Sequence, residues 1–238
     1  MPVPRGSARL KRASAKEKVY SKLKSWIVTG ELQSGEKIID SDIAEYFAVS
    51  RTPVREALQL LAAQKLVKVS PGRQTVVCPV DADVFRSCYQ LLAVLQGFAA
   101  ECACTRVTHA DLAELEALDA QYRDALANAE PSEVIVADAR LHSLILSLCG
   151  NDLLREFSDT LLAHVQRVEY LYFSWAKAHG QSVQTHRELI EALKARDRDR
   201  ARTAMQDNWL CSMKVYEHEL GSAPDNGLSG GQELSASC

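Results

Sequence analysis

Long apolar runs are missing from this sequence, and no stretch reaches the ~18–20 residues that a membrane-spanning helix requires. The basic N-terminus is not followed by the apolar segment of a secretory signal, so we expect a cytoplasmic protein without membrane contact. The spacing CxxC is absent as well, although the sequence has seven cysteines. An odd number of unpaired cysteines argues against a disulfide framework, and it favours small core residues over a redox sensor.

Acidic and basic residues are unevenly distributed along the chain. Residues 1–80 contain fourteen Lys and Arg against seven Asp and Glu, whereas residues 81–238 contain fourteen against twenty-four. The net charge of −3 is therefore the sum of a basic N-terminal region, the front of the chain, and an acidic remainder. This asymmetry indicates that only the front of the chain meets a polyanion, although charge by itself does not identify that polyanion as nucleic acid.

The first 80 residues have the pattern of three helices followed by a hairpin. The elements are a helix at 16–29 ended by Gly30, a turn at 31–37, a second helix capped by Asp40 or Ser41, a third capped by Ser50 or Thr52, and strands at 66–69 and 75–78. This order is that of a winged helix-turn-helix, whose third helix enters the major groove of DNA.

The N-terminal end of the third helix carries the candidate DNA-binding residues Ser50, Arg51, Thr52 and Arg55. Arginine can form two hydrogen bonds to guanine or to phosphate, and hydroxyl groups and helix N–H groups suit phosphate. Two arginines also occur on ordinary solvated helix faces. The order of the elements, the basic charge and Arg73 at the tip of the hairpin favour DNA binding over that alternative.

The segment VSRTPVREAL, residues 49–58, is the most specific part of a resemblance that covers roughly residues 16–80. This region resembles the DNA-binding domain of GntR-type bacterial regulators. The resemblance implies DNA contacts from the four residues named above and places Gly72 and Arg73 in the wing. Ala48 and Lys65 stand where the family often has glycine, so both must adopt a left-handed backbone conformation if the turns are kept.

Residues 81–220 contain few glycines or prolines and no strand-like alternation. Apolar spacing predicts helices at about 82–106, 109–129, 132–149, 152–178, 182–195 and 198–219, with caps at Thr108, Asn151, Ser182 and Asp197. We therefore expect a mainly α protein with four parts in chain order. They are a disordered basic arm (1–15), the winged helix-turn-helix (16–80), an all-α bundle of about six helices (81–220) and a disordered tail (221–238).

Polar side chains occupy the apolar faces of several of these helices. Asp138 and His142 lie one helical turn apart on one apolar stripe, and His164, His186 and Asn208 lie on apolar faces of later helices. Buried polar groups need partners. A divalent metal bound by a carboxylate and imidazoles from different helices is one solution. The other is a hydrogen-bonded Asp–His pair beside unrelated polar residues, and spacing alone favours it.

A second resemblance is carried by DARLH (138–142), GNDLL (150–154), THRELIEALKARD (185–197) and ARTAMQDNWL (201–210). These segments resemble the FCD effector-binding domain of the FadR subfamily of GntR regulators. The resemblance implies a divalent metal such as zinc, nickel or manganese on Asp138, His142 and His186, with Asn208 in place of a fourth ligand, a histidine. It also puts Leu92 and Gln96 where members tend to carry Arg and Glu, which weakens the case for a simple carboxylate effector.

Together these features predict a DNA-binding transcription regulator and not an enzyme. We expect a homodimer on an inverted repeat of double-stranded DNA, with its DNA affinity controlled by a small-molecule effector in the helical domain. Asn208 and His164 are the candidate pocket residues. Two alternatives stay open: a metal-dependent hydrolase using Asp138, His142 and His186, and a constitutive repressor with a vestigial pocket. No motif supplies the hydrolase with a separate base or nucleophile.

Overall fold

The computed structural model describes residues 15–70, 74–172 and 179–222. The chain divides into two compact units, Met1–Ile27 with Gly35–Cys78 and Val28–Ser34 with Pro79–Cys238. Almost all of the arm and tail that the sequence predicts to be disordered lie outside the described residues, as does the wing turn with Gly72 and Arg73. None of the helices in the described ranges is both long enough and apolar enough to cross a membrane.

The first unit has the predicted order of helices and strands. Its described elements are α1 (Ala15–Thr29), β1 (Lys37–Ile38), α2 (Asp40–Tyr46), α3 (Arg51–Ala63), β2 (Val67–Val69) and β3 (Thr75–Val77), where α1 continues two residues beyond the unit. The antiparallel sheet has the order β1-β3-β2. The sequence analysis assigned a turn to the segment that includes β1, because a two-residue strand carries no periodic signal.

The buried face of α3 follows from the spacing of its apolar residues. Val54, Ala57, Leu58 and Leu61 recur at intervals of three and four, and all four side chains are buried, so α3 turns one stripe inward and leaves the opposite face in solvent. Pro53 falls in the first turn of α3, where its missing N–H group costs no hydrogen bond. The buried stripe therefore determines which residues of α3 remain available to a ligand.

Two residues of the first unit adopt the left-handed backbone conformation that the resemblance requires of them. Ala48, between α2 and α3, has a φ of 51°, and Lys65, after α3, has a φ of 57°. Both predictions are confirmed. A side chain in this conformation costs roughly 1–2 kcal/mol relative to its right-handed form. The strain is offset by hydrogen bonds that close the helix ends, such as Val49 N–H to Ala44 O at 3.0 Å.

The predicted cap of α2 is wrong. Ile39 occupies the N-cap, and Asp40 is the first helical residue. The Asp40 carboxylate is not available for capping because it accepts hydrogen bonds from two side chains of α3. Ser50 does occupy the N-cap of α3, but its side chain forms no capping hydrogen bond. Local sequence identifies these helix starts to within a residue, whereas the partner of the polar side chain depends on the neighbouring helix.

The second unit contains six helices in the described ranges, which confirms the predicted mainly α architecture. They are α4 (Ala82–Ala103), α5 (His109–Asn128), α6 (Pro131–Cys149), α7 (Asp152–Tyr172), α8 (His179–Lys194) and α9 (Arg198–Ser222). Helix α4 packs against α6, α7 and α9. Its Gly97 permits close approach of α9, because a Cβ atom there would lie only 2.8 Å from Gln206 Cγ.

Three of the four predicted caps in the second unit are confirmed. Thr108 forms a capping box with Asp111, and the side chains of Asn151 and Asp197 accept hydrogen bonds from backbone N–H groups three residues later. Ser182 is not a cap, because α8 already begins at His179 and Ser182 lies inside it as a buried residue.

Candidate functional site

The structure brings Asp138, His142 and His186 together. Asp138 and His142 are one turn apart on α6, His186 comes from α8, and one ligand atom from each lies within 4.8 Å of the others. The Nε2 atom of His186 is 3.3 Å from Asp138 Oδ1, and the Nε2 atom of His142 is 3.7 Å from Asp138 Oδ2. Both imidazole rings are almost completely buried, with exposed fractions of 2% and 0%.

The other ring nitrogen of each histidine faces a residue from a further helix. His142 Nδ1 lies 2.7 Å from Gln96 Oε1. An amide oxygen only accepts, so Nδ1 carries the proton and Nε2 presents its lone pair toward Asp138. His186 Nδ1 lies 3.8 Å from Asp119 Oδ1, and Asp119 also pairs with Arg123 at 3.0 Å. The hydrogen bond to Gln96 orients the His142 ring, whereas the 3.8 Å separation leaves His186 Nδ1 without a hydrogen-bond partner among the described residues.

The donor set fits a divalent metal ion. Nε2 of His142 and both ring nitrogens of His186 are buried and have no hydrogen-bond partner among the described residues, and an unsatisfied buried polar atom costs about 1–3 kcal/mol. Metal binding requires neutral imidazoles. Burial lowers the pKa of His142 to about 4 and, together with the neighbouring His142, lowers the pKa of His186 to about 3. The group could therefore hold a metal ion without first losing protons from the histidines.

Asn208 lies on α9 beside this group. Its side-chain N–H donates to Thr185 Oγ1 at 2.8 Å, and Thr185 directly precedes His186. The Asn208 amide, which lies near the His142 ring, also opposes part of the lowering of the His142 pKa. An amide oxygen is a weaker ligand than imidazole for zinc or nickel, so Asn208 makes this position less tightly coordinating than a histidine would.

A narrow pocket, partly open to solvent, adjoins the Asp138 carboxylate. Most of the described residues that line it have polar or aromatic side chains, and two are aliphatic. The lining consists of Tyr122, Val134, Ile135, Asp138, Glu169, Ser182, Asn208, Trp209, Ser212 and Tyr216. This lining contains two carboxylates and neither lysine nor arginine. The cavity therefore presents hydroxyl groups and acidic groups to a ligand, without a cationic side chain from the described residues.

Glu169 is one of several lining residues that the sequence did not identify. Tyr89 donates its hydroxyl to Glu169 Oε1 at 3.0 Å, and burial, together with the charge of Asp138, raises the pKa of Glu169 to about 8. Burial also raises the pKa of Asp138 to about 7. A glutamate within a long apolar helix face was the available signal. His164, on the same helix α7, is half-buried and is not among the described residues that line this cavity.

A separate group of candidate residues lies at the start of α3 in the first unit. Ser50, Arg51, Thr52 and Arg55 are all exposed there, beside the N–H groups at the positive end of the helix. Arg51 and Arg55 both form ion pairs with Asp40 of α2, at 2.6 and 2.7 Å. The surface combines hydroxyl groups, free N–H groups and two guanidinium groups, which together suit phosphate and base edges.

Comparison with known protein families assigns both units. Residues 15–77 match the bacterial regulatory proteins of the gntR family, and residues 87–209, just over half of the chain, match the FCD domain. A helix-turn-helix joined to such a domain defines a DNA-binding transcription regulator and not an enzyme, so the hydrolase alternative is wrong. The chain belongs to the GntR family of bacterial regulators, and its FCD domain places it in the FadR-like subfamily.

Similar proteins agree with this assignment. The chain is 25% identical over 189 residues to the HTH-type transcriptional repressor RspR of Escherichia coli K12, covering 79% of this chain and 83% of RspR. It is 26% identical over 204 residues to the HTH-type transcriptional regulator McbR of the same strain, covering 85% and 92%. The solved structure of E. coli McbR/YncC has the same fold, with a TM-score of 0.77 at 22% identity, covering 88% and 100%.

Proposed function

We propose that this regulator binds an operator through α3 and that a small molecule in the cavity of the second unit controls its affinity for that operator. The observation that carries the proposal is the cavity itself, which adjoins a carboxylate and two neutral imidazoles with unsatisfied nitrogens. Such a group is costly to maintain in a domain that only has to fold. A ligand that binds one arrangement of the regulator more tightly than another shifts its DNA affinity by that difference.

The proposed DNA contacts come from the start of α3. Arg51 and Arg55 contact base edges or phosphates, whereas Ser50 and Thr52 contact phosphates through hydroxyl and backbone N–H groups. Gly72 and Arg73, at the predicted wing tip, contact the flanking backbone. The proposed contacts of Ser50, Arg51, Thr52 and Arg55 are supported by the exposure of these residues at one end of a helix whose opposite face is buried.

The proposed resident cofactor is a divalent ion such as zinc, nickel or manganese, held by Asp138, His142 and His186. When bound, it supplies a positive charge that attracts an oxygen atom of the effector. Gln96 orients the imidazole of His142, Asp119 lies beside that of His186, and Asn208 leaves the fourth position weakly held and open to water or the effector.

The absence of lysine and arginine from the described lining residues favours a neutral or cationic polar effector. Glu169 and the hydroxyl groups of Ser182, Ser212 and Tyr216 accept or donate hydrogen bonds to alcohol, amide or amine groups. A carboxylate effector would meet no lysine or arginine among the described lining residues, so only the metal would attract it. We also propose that His164, on α7, contributes to the effector pocket from outside the set of described lining residues.

We further propose that the second unit forms a homodimer on an inverted-repeat operator. Leu91, Val94 and Phe98 lie on one face of α4, and their exposed fractions are 52%, 61% and 47%. Large exposed apolar side chains aligned on one helix are typical of a surface that another protein covers. A second copy of the chain is the occupant that a two-fold operator requires.

Effector control is tested with the full chain and an operator selected from random duplex DNA. Thermal shift is measured against a panel of small amines, polyols, amides and carboxylates, with and without added zinc. Compounds that raise the melting temperature are then tested for their effect on operator affinity by fluorescence anisotropy. We expect a neutral or amine compound to change both quantities in wild type and neither in Glu169→Gln. Operator affinity that no compound changes would support the constitutive repressor.

A further inference from the structure

Asp40 joins the two arginines of α3 from a different helix. Its Oδ1 atom accepts hydrogen bonds from Arg51 Nη2 at 2.6 Å and Arg51 Nε at 3.2 Å, and its Oδ2 atom accepts one from Arg55 Nε at 2.7 Å. Each carboxylate oxygen thus serves one arginine. Asp40 is the first residue of α2, and the two arginines are one helical turn apart on α3.

The hydrogen bonds to Asp40 do not involve the two Nη groups of Arg55. Asp40 uses only Nε of Arg55, so the two Nη groups, which together bind guanine or phosphate, have no protein partner among the described residues. Arg51 keeps Nη1. The arginine side chains are 63% and 57% exposed for Arg55 and Arg51, whereas Asp40 is only 19% exposed. The carboxylate therefore lies beneath the guanidinium groups and directs them outward.

An acidic side chain at this place is unfavourable for general attraction to DNA, because it adds negative charge to a surface that meets phosphates. Exposed ion pairs also contribute little to folding stability. What the ion pairs do provide is restraint: an arginine already held at Nε loses less rotamer freedom when its Nη groups bind. The two arginines in turn hold the pKa of Asp40 below its usual value, mainly through their hydrogen bonds.

We propose that Asp40 is a positioning residue that fixes the directions of Arg51 and Arg55 and so increases discrimination between operator and other DNA. This inference rests on the proposed DNA contacts of the two arginines. Asp40 contributes to the ratio of specific to non-specific affinity, and it lowers affinity for DNA in general.

The test compares Asp40→Asn with wild type, using full chains and fluorescence anisotropy. Two duplexes are used: an operator selected by wild type from random DNA, and a shuffled duplex of the same length and composition. Asp42→Asn is the matched control, because Asp42 is an exposed acid on the same helix whose side chain contacts Ser41 and neither arginine. Both substitutions remove one negative charge.

We expect Asp40→Asn to bind the shuffled duplex more tightly than wild type and to lower the specificity ratio by about fivefold to tenfold, part of the value of one bidentate base contact. Asp42→Asn should strengthen binding to both duplexes equally and leave the ratio unchanged. Asp40→Glu, which keeps a carboxylate, should recover part of the lost ratio.

A double-mutant comparison separates this inference from the proposed contacts. In an Arg51→Ala/Arg55→Ala background, Asp40→Asn should no longer change the specificity ratio, because no arginine remains to be positioned. If Asp40→Asn leaves the ratio unchanged while the arginine substitutions lower it, the positioning role is wrong and the contacts stand. If the arginine substitutions themselves change nothing, the proposed contacts are wrong, and the positioning role fails with them.

Discussion

The candidate binding side chains of the two units differ in their exposure and in whether they have a partner. In the first unit, Arg51 and Arg55 are exposed, and each already has a partner in Asp40. In the second unit, His142 and His186 are buried, and within the described part of the chain their Nε2 atoms lack a hydrogen-bond partner. Exposed pairs exchange partners at little cost in water, whereas an unsatisfied group in the interior costs free energy until a ligand satisfies it. We therefore expect the ion pairs of the first unit to be exchanged readily for contacts with DNA, and the second unit to gain stability from a bound ligand.

The largest expected effect comes from removing a ligand in the second unit. His142→Ala deletes one of the three proposed metal ligands, so we expect metal affinity to fall by more than the roughly 10–100-fold typical of losing a supporting contact. The measurement is elemental analysis and zinc or nickel titration of full chains purified without chelator or a metal-affinity column. His109→Ala, which removes an exposed histidine at the start of α5, is the control and should bind metal normally.

The same experiment can contradict the metal site. Asn208→His supplies a third imidazole as the fourth ligand and should strengthen binding of zinc or nickel. If wild type takes up no stoichiometric metal even after incubation with zinc or nickel, while Asn208→His does, the metal proposal is wrong. The group is then a polar pocket without metal in which Asn208 bonds the effector directly.

The first unit should respond more moderately, because each of its arginines is one of several contacts. We expect Arg51→Ala or Arg55→Ala to weaken operator binding by about 1–3 kcal/mol if the contact is to a base edge. A contact to phosphate alone should instead reduce the slope of log affinity against log salt by about one. Arg200→Ala, an exposed arginine of α9, controls for the lost charge. Unchanged affinity and unchanged slope in both variants would remove the arginines from the interface.

Two half-buried acids of the second unit, Asp138 and Glu169, predict a pH effect on the metal-free protein. The pKa values of Asp138 and Glu169 are raised in the folded state to about 7 and about 8, so the folded state keeps protons that the unfolded chain has already lost. Stability should therefore fall as pH rises from about 6.5 to 8, by roughly 1–2 kcal/mol. The lowered histidine pKa values act oppositely and only below pH ~6.5, where the unfolded histidines gain protons.

This pH effect is measured by urea unfolding in the presence of a chelator at several pH values. Glu169→Gln removes one of the two acids and should flatten the decline above pH ~6.5. A decline of the same steepness in wild type and Glu169→Gln would assign the effect to other groups.

The smallest expected effect tests backbone strain in the first unit. Ala48→Gly should stabilise that unit by about 1 kcal/mol, because glycine adopts a positive φ without the cost that alanine bears. Ala62→Gly, inside α3, should destabilise it by about 0.5–1 kcal/mol. Thermal unfolding of the two variants compares the signs directly, and destabilisation by Ala48→Gly would show that the strain is absent.

The sequence by itself determined the order and type of the helices. The buried face of an amphipathic helix can be identified from the spacing of apolar residues within one segment. It also determined the three ligand candidates: Asp138 and His142 share a face because they are four residues apart, and His186 lies in a motif that the family resemblance identifies. The left-handed positions Ala48 and Lys65 followed from glycine positions in the same resemblance.

Only the tertiary structure decided which distant side chains meet. Gln96 supports His142 from 46 residues away, Asp40 binds Arg55 from 15 residues away, and Glu169 reaches the cavity from α7. Periodicity states which face of a helix is buried, but it carries no information on which helix packs against that face or at what height. The partners of a polar side chain are set by that packing, and so they emerge only when the helices are assembled.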